Sequence, residues 1–269
     1  MQDSGGRNLY LRKSNKTIKS SKILDNIKLT SEQLVGNLHE HYLPPIIDKK
    51  EWLKIPKLNG KKISLPNMQT FEIDKQKTID SCGLCSGEMV INDILKNKWN
   101  KKISEKNIME KTLIPQIWLV KEYVGITPEQ LQNALQEILI DYHLPYTATR
   151  KDFISYKEVK NFLEIWSYLI FSYMWDAIDN PHRTKNGKKD LILKNIHHPH
   201  YIVLLGIDEK RKIVTIANPF GYKEKIDFKQ FWQRISLYPQ YLHSNKLYLP
   251  LVESGIYMPR TCIIILPNS

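Results

Sequence analysis

The sequence has few cysteines and no long hydrophobic run. Three cysteines in 269 residues are too few for a disulfide scaffold, and the odd number leaves a thiol unpaired, which favours a reducing compartment. The most apolar stretch, residues 165–175, is shorter than the roughly 20 residues of a membrane-spanning helix. The first residues are polar and contain no apolar segment typical of a secretory signal peptide. We therefore expect no membrane span and a location in the cytoplasm, or secretion by a route that needs no signal peptide.

Internal repeats and low-complexity runs are also absent, and no GxxxxGK[ST] nucleotide-binding loop occurs. The chain carries 40 basic and 28 acidic residues, a formal net charge of +12, spread along its length. A nucleic-acid-binding protein concentrates such charge on one face or arm, and no helix-turn-helix, zinc-finger or ribonucleoprotein motif is present. We interpret most of the charge as solvated surface and expect a protein or peptide partner. A non-catalytic basic protein that binds an anionic partner stays an alternative.

The chain divides into an extension and one domain. Residues 1–68 are rich in lysine, weakly periodic and interrupted by four prolines, which predicts an irregular or partly helical N-terminal extension. The pattern sharpens afterwards, and residues 69–269 are predicted to form a single domain. A polar, basic stretch at residues 177–199 contains Asn, Pro and Gly and is interpreted as an insertion in that domain.

A helix is predicted to begin at Cys82. The residues after it place leucine, isoleucine and valine at approximately helical spacing, and Ser81 or Asp80 is available to cap the first turn. Cys82 would then lie at a helix N-terminus, where the helix dipole favours a thiolate.

Two further helices follow. Thr127 is predicted to cap one of them, with Pro128 at the first helical position and Gln130 completing a capping box. Residues 104–124 are also predicted to be helical, with a break or kink at Pro115.

Strands dominate the C-terminal half. Residues 200–208 and 212–218 are β-branched and aliphatic and flank a charged turn, as the two arms of an antiparallel hairpin do. The other predictions are a buried strand or helix at residues 166–175, a short helix capped by Asp227, and strands at residues 246–252 and 262–266. Helices followed by a mostly antiparallel sheet indicate an α+β fold.

The Cys-x-x-Cys sequence formed by Cys82 and Cys85 has three interpretations. A thioredoxin-like redox site follows a hydrophobic strand within a βαβ unit, whereas the residues before Cys82 are polar. A zinc site needs four ligands, and neither Cys262, in an apolar strand, nor the histidines near residue 200 fit a standard zinc motif. The third interpretation takes Cys82 as a nucleophile and Cys85 as a packing residue. It requires no metal and no cofactor.

A cysteine nucleophile needs a histidine partner, and the hairpin offers one. Opposite residues of an antiparallel hairpin have a constant sum of residue numbers, close to 418 for a turn centred on Glu209, so His200 would face Asn218. Cβ atoms of facing residues are about 5 Å apart, close enough for the Asn amide to orient the imidazole. A shift of the register by one residue would move Asn218 to the other face, so the arrangement requires an odd-numbered loop or a bulge.

Two segments carry a resemblance to a known family. The residues from Gln76 to Gly83, QKTIDSCG, followed by a helix, resemble the active-site start of papain-like cysteine peptidases. The segment HYIVLLGID, a charged turn, KIVTIANP, a glycine and the aromatic stretch DFKQFW are similar to the double-glycine-leader peptidase family and its free-standing relatives. The similarity covers roughly residues 70–240 and implies a papain-like fold.

By that resemblance, Cys82 is the nucleophile, His200 the general base and acid, and Asn218 the residue that orients His200. The resemblance also makes Gln76 an oxyanion-hole donor beside the backbone N–H of Cys82. Two departures are visible: Leu84 and Cys85 replace the usual small residues after the Cys-Gly pair, and Asn218 occupies a position where exporter-associated members commonly have Asp.

The expected activity is that of a cysteine-nucleophile hydrolase or acyltransferase that acts on an amide bond of a protein or peptide. Peptide-bond cleavage, glutamine deamidation and transfer to an amine all use this machinery. The lack of a nucleotide-binding loop favours a free-standing bacterial peptidase, or a host-directed effector or toxin, over an exporter subunit. A Cys-x-x-Cys thiol oxidoreductase and a non-catalytic binding protein remain the alternatives.

Overall fold

The structure of the protein is a computed structural model. It describes residues 54–78, 81–96, 102–112, 126–176, 197–236 and 260–268. Residues 1–53, most of the predicted insertion (177–196) and the strand predicted at 246–252 lie outside the described residues, as do Asp80 and Pro115. In the part of the chain so described, no helix is both long and apolar enough to cross a bilayer.

Most of the described helices precede most of the described strands along the chain. The helices are α1 (Cys82–Leu95), α2 (Glu105–Lys111), α3 (Pro128–Asp141), α4 (Tyr156–Glu164) and α5 (Phe228–Ser236). The strands are β1 (Lys62–Ser64), β2 (Tyr146–Lys151), β3 (Tyr168–Asp176), β4 (His197–Asp208), β5 (Ile213–Asn218), β6 (Tyr222–Asp227) and β7 (Cys262–Pro267).

The strands form one antiparallel sheet in the order β2-β7-β3-β4-β5-β6. The short strand β1 pairs with residues 206–208 of β4, beyond the point where the pairing with β3 ends at Leu204. Helices together with an antiparallel sheet confirm the predicted α+β class.

Helices cover both faces of the sheet. Side chains of Tyr168 and Phe171 point to opposite faces because strand residues alternate. The hydroxyl of Tyr168 donates to Asp93 of α1 at 2.7 Å, whereas the ring of Phe171 packs edge-on against Phe231 of α5, with centroids 5.6 Å apart. Helix α1 therefore lies on one face and α5 on the other.

The helix predictions hold where the structure describes them. Helix α1 begins at Cys82 as predicted, although Ser81 does not cap it with its side chain and hydrogen-bonds Thr78 instead. The capping box at α3 is confirmed: Thr127 Oγ1 accepts from the Gln130 N–H at 3.2 Å, and Gln130 Oε1 accepts from the Thr127 N–H at 3.0 Å. Residues 104–124 are predicted to be helical, and the described part of this segment forms helix α2 (Glu105–Lys111).

The strand predictions are also largely confirmed. The segment predicted as a strand or a helix at 166–175 is the strand β3, and Asp227 caps α5 by accepting from the N–H groups of Lys229 and Gln230. Strands β2 and β6 were not predicted. Strand β1 lies within residues 1–68, where we expected irregular or helical structure; the domain boundary at residue 68 stays a prediction.

The β4–β5 hairpin contains a bulge at Leu205. Near the turn, Gly206 pairs with Thr215, but beyond the bulge Leu204 pairs with Ile216. The bulged residue is held by the residue that follows β1, because the Leu65 N–H donates to the Leu205 carbonyl at 2.9 Å. The predicted direct pairing of His200 with Asn218 is wrong, because the observed register places residue 220, two positions further on, level with His200. The bulge shifts the register by one residue, and as a result His200 and Asn218 still lie on the same face of the sheet.

Candidate active site

Cys82 is the first residue of α1, and only 7% of its surface is exposed. The next residue, Gly83, packs closely against Ile126 and Tyr201. A Cβ at this position would lie 2.5 Å from Cγ2 of Ile126 and 3.1 Å from Cδ2 of Tyr201. A glycine is needed for this approach. Gly83 follows Cys82 and Tyr201 follows His200. The contact between Gly83 and Tyr201 therefore joins the residues that follow the two predicted catalytic residues.

His200 and Asn218 are hydrogen-bonded to each other. His200 Nε2 lies 3.1 Å from Asn218 Oδ1, and both residues are buried, with 4% and 0% exposure. The imidazole also stacks on the ring of Phe220, with centroids 4.7 Å apart and planes at 11°. The ring of His200 is thus held by an amide and by an aromatic plane.

The neighbours of Asn218 determine which way its amide points. The backbone N–H of Phe220 can only donate, and it donates to Asn218 Oδ1 at 3.1 Å. On the other side, Asn218 Nδ2 donates to the Glu224 carboxylate at 3.0 Å. The oxygen therefore faces His200, which requires a proton on His200 Nε2 and leaves Nδ1 with the lone pair of a base.

Gln76 lies beside the segment that carries Asn218. The backbone N–H of Gln76 donates to the Pro219 carbonyl at 2.7 Å, and Lys75 forms a β-bridge with Phe220. Gln76 is buried, with 9% exposure, and its Nε2 donates to the Thr78 carbonyl at 2.8 Å, in the turn that leads into α1. The amide of Gln76 is therefore fixed between the hairpin and the start of the helix.

Cys85 and Cys262 are buried thiols. Cys85 Sγ lies 3.5 Å from the Asp74 carbonyl; burial raises the pKa of this thiol, and the nearby carboxylates of Glu105 and Glu88 raise it further. Burial also raises the pKa of Cys262. Both side chains are therefore neutral thiols at physiological pH, in keeping with the predicted packing role of Cys85 and the apolar strand of Cys262.

The sequence did not point to Phe220, Tyr222 or Glu224 as neighbours of the site. Tyr222 pairs directly with Asn218 across β5 and β6, and Glu224 lies two residues further along the same face. The alternation of Tyr222 and Glu224 with lysines in the sequence YKEKID is the available signal for two of them. It is weak because the strand is mostly charged and lacks an apolar stripe.

A pocket of about 300 Å³ lies on the face of β5 and β6 opposite to the one that carries Asn218 and Glu224. Its lining includes Lys62, Arg211, Lys223 and Lys225, and none of the four predicted site residues borders it. Among the residues that the structure describes, no group of three or more His, Cys, Asp or Glu side chains is arranged to hold a metal ion.

No family model and no curated protein matches the sequence. Solved structures similar to this chain include the following two. The peptidase domain of Streptococcus ComA, a bifunctional ABC transporter involved in a quorum-sensing pathway, is 12% identical, with 74% of this chain and 99% of that domain covered and a TM-score of 0.41. A Bacillus anthracis protein described as a C39-like peptidase is 13% identical, with coverages of 78% and 100% and a TM-score of 0.43.

Both of these structures are described as peptidases or peptidase domains. At 12–13% identity, the chemistry has to be argued from the side chains of this chain.

Proposed function

We propose that this protein is a cysteine-nucleophile hydrolase that cleaves an amide bond in a protein or peptide. Cys82 is the nucleophile, His200 the general base and acid, Asn218 the orienting residue and Gln76 an oxyanion donor. The observation that carries the proposal is the buried hydrogen bond from His200 to an Asn218 amide whose orientation is fixed on both sides.

The reaction would run in two steps. His200 Nδ1 takes the proton of the Cys82 thiol, and the thiolate attacks the carbonyl carbon of the substrate. The backbone N–H of Cys82 and the amide of Gln76 stabilise the oxyanion, and His200 returns the proton to the departing amine. A water molecule, deprotonated by His200, then attacks the thioester, releases the acid and regenerates the Cys82 thiol.

Three features of the site support these roles. A helix N-terminus favours the thiolate of Cys82. The tautomer imposed by Asn218 leaves His200 Nδ1 able to accept a proton, and the stacking of Phe220 limits rotation of the imidazole. Peptide-bond cleavage and glutamine deamidation differ only in the amine that departs, so both fall within the proposal.

The proposal is tested by brief treatment with substoichiometric iodoacetamide, followed by intact-mass measurement and mapping of the modified residue. We expect rapid single labelling at Cys82 in the wild type and a large loss of that rate in the His200→Ala variant. Cys262→Ser is the matched control, because it removes a buried thiol outside the site. Slow labelling divided between Cys82 and Cys85, unchanged by loss of His200, would overturn the proposal.

Turnover is tested with an unstructured protein substrate and with a glutamine-containing peptide, using mass spectrometry to distinguish backbone cleavage from a gain of 1 Da by deamidation. We expect one of these products in the wild type and none in Cys82→Ala. Full activity in Cys82→Ala would exclude the mechanism.

A further inference from the structure

We infer that Glu224 is a positioning residue of this site, acting on His200 through the amide of Asn218. The inference rests on the proposed function, since it assigns a fourth group to the same chemistry. His200 Nε2, the Asn218 amide and the Glu224 carboxylate form a continuous chain, with contacts of 3.1 Å and 3.0 Å.

The backbone places Glu224 for this role. Strand β6 pairs with β5 so that Tyr222 is opposite Asn218 and Glu224 is opposite Ile216. Asn218, Tyr222 and Glu224 therefore lie on one face of the sheet, and the carboxylate reaches Asn218 Nδ2 diagonally. The Tyr222 hydroxyl is the second neighbour of Asn218 Nδ2, at 3.4 Å.

A carboxylate at this position does something that a neutral group would not. An ionised carboxylate only accepts hydrogen bonds, so it excludes the flipped amide, which would present Oδ1 to it. The Phe220 N–H disfavours the same flip from the other side of the amide. The negative charge, transmitted through a buried amide, also favours the imidazolium form of His200 that the reaction requires.

An asparagine is electrically neutral, so any charge on the Asn218 side of the imidazole, opposite the Cys82 thiolate, comes from a residue that contacts Asn218. In this chain Glu224 is the carboxylate in contact with the Asn218 side chain among the described residues. We therefore expect that the two side-chain types can be exchanged: a carboxylate at position 218 and an amide at position 224 should still orient His200.

The test is a double-mutant cycle of Asn218→Asp and Glu224→Gln, with kcat, KM and thermal midpoint measured for each variant. Glu224→Gln alone should lower kcat by about 10-fold, as the loss of an outer orienting group commonly does, while KM and the midpoint stay near the wild-type values. Asn218→Asp alone should be more damaging, because two carboxylates then compete for one site. The double variant should recover to within a few-fold of the wild type.

Lys225→Gln is the matched control, because it changes one charge on the same strand but on the opposite face, where Lys225 pairs with Thr215. It should leave kcat unchanged. Glu224→Asp provides a second variant that keeps the charge on a shorter side chain, and it should retain more activity than Glu224→Gln. Full kcat in Glu224→Gln would overturn the inference, as would a double variant no better than Asn218→Asp.

The outcome can be separated from failure of the proposed function by nitrogen-15 NMR of the His200 ring, which needs no substrate. We expect the Nε2–H tautomer in the wild type and a larger share of the Nδ1–H tautomer in Glu224→Gln. If the wild type turns over no amide substrate but the tautomer still depends on Glu224, the hydrolase proposal fails alone. An unchanged tautomer in an active enzyme would remove the role of Glu224 and leave the hydrolase intact.

Discussion

His200 and Asn218 are hydrogen-bonded at 3.1 Å, although they are not opposite each other in the β4–β5 hairpin. Continuing the register of Val203 and Ala217 places His200 level with residue 220, so the two side chains meet on a diagonal. A diagonal approach leaves the space directly opposite His200 to Phe220, whose ring stacks on the imidazole. The offset thus supplies both an orienting amide and an aromatic wall.

Replacing His200 by alanine should lower turnover by about 10²–10⁴-fold, the usual contribution of a general acid–base group. The measurement is kcat with the best amide substrate, together with the rate of Cys82 alkylation. His143→Asn is the control, because His143 lies in the turn after α3 with a positive φ that asparagine tolerates. Equal loss of activity in both variants would show that the effect of His200→Ala is not specific to the site.

Gly83→Ala should destabilise the start of α1 by about 1–3 kcal/mol, the typical cost of overpacking. The added methyl group would overlap Ile126, whose Cγ2 lies 2.5 Å from the position of the new Cβ. Urea unfolding measures the change, and Cys82 alkylation reports whether the thiol has moved. Ile126→Ala removes the overlapping methyl, so the double variant should recover part of the stability. No recovery would show that the clash with Ile126 is not the cause.

Cys85→Ser should leave the rate of Cys82 alkylation and the turnover within a few-fold of the wild type. The serine hydroxyl can make the same hydrogen bond to the Asp74 carbonyl that the thiol makes. A thiol oxidoreductase, in contrast, would lose its activity with Cys85. An insulin-reduction assay and the amide-hydrolysis assay, performed on the same two proteins, distinguish these outcomes.

Glu209→Gln should lower the free energy of unfolding by about 3–5 kcal/mol, the usual cost of breaking a buried charge pair. The Glu209 side chain has no exposed surface and lies 3.2 Å from Lys160 Nζ. Its carboxylate also accepts from the Tyr156 hydroxyl and from the backbone N–H groups of Asn59 and Lys61, at 2.7–2.8 Å. Urea unfolding at neutral pH checks this, with Asp208→Asn as the control, because Asp208 ends β4 and its side chain is 23% exposed.

The same carboxylate predicts how stability depends on pH. Burial raises the pKa of Glu209, but the hydrogen bonds from Lys61, Tyr156, Asn59 and Lys160 outweigh burial and lower the pKa to about 2. The stabilisation is therefore complete above the unfolded-state pKa of about 4.3 and is lost as the pH falls towards 2. The stability difference between wild type and Glu209→Gln should shrink across that range. A difference independent of pH would contradict the assignment.

Local signals in the sequence were sufficient for several elements of the fold. The capping box at Thr127 and the start of α1 at Cys82 depend on neighbouring residues only, so they were predicted correctly. The hairpin was also recognisable from its two aliphatic arms. The resemblance to papain-like peptidases rests on two short motifs, and the effector or toxin role stays a prediction.

Features that depend on distant pairing were not predictable in the same way. The sequence pattern places Glu209 in a charged turn and gives no sign of its burial, which arises because residues 59–61 and α4 close over it. Strand β6 has no apolar stripe and is specified by its pairing with β5. The contribution of Glu224 therefore depends on a register that no local pattern reveals.

The bulge at Leu205 makes the two arms of the hairpin sensitive to changes in length. Insertions at residues 210–212 would only enlarge the turn, because the paired residues on either side keep their partners. Loss of Leu205 would put one end of β4 out of phase with β5, so that either the turn or His200 would rotate to the wrong face. Sequence variation between His200 and Asn218 should therefore be confined to the turn, while the number of residues in each arm stays constant.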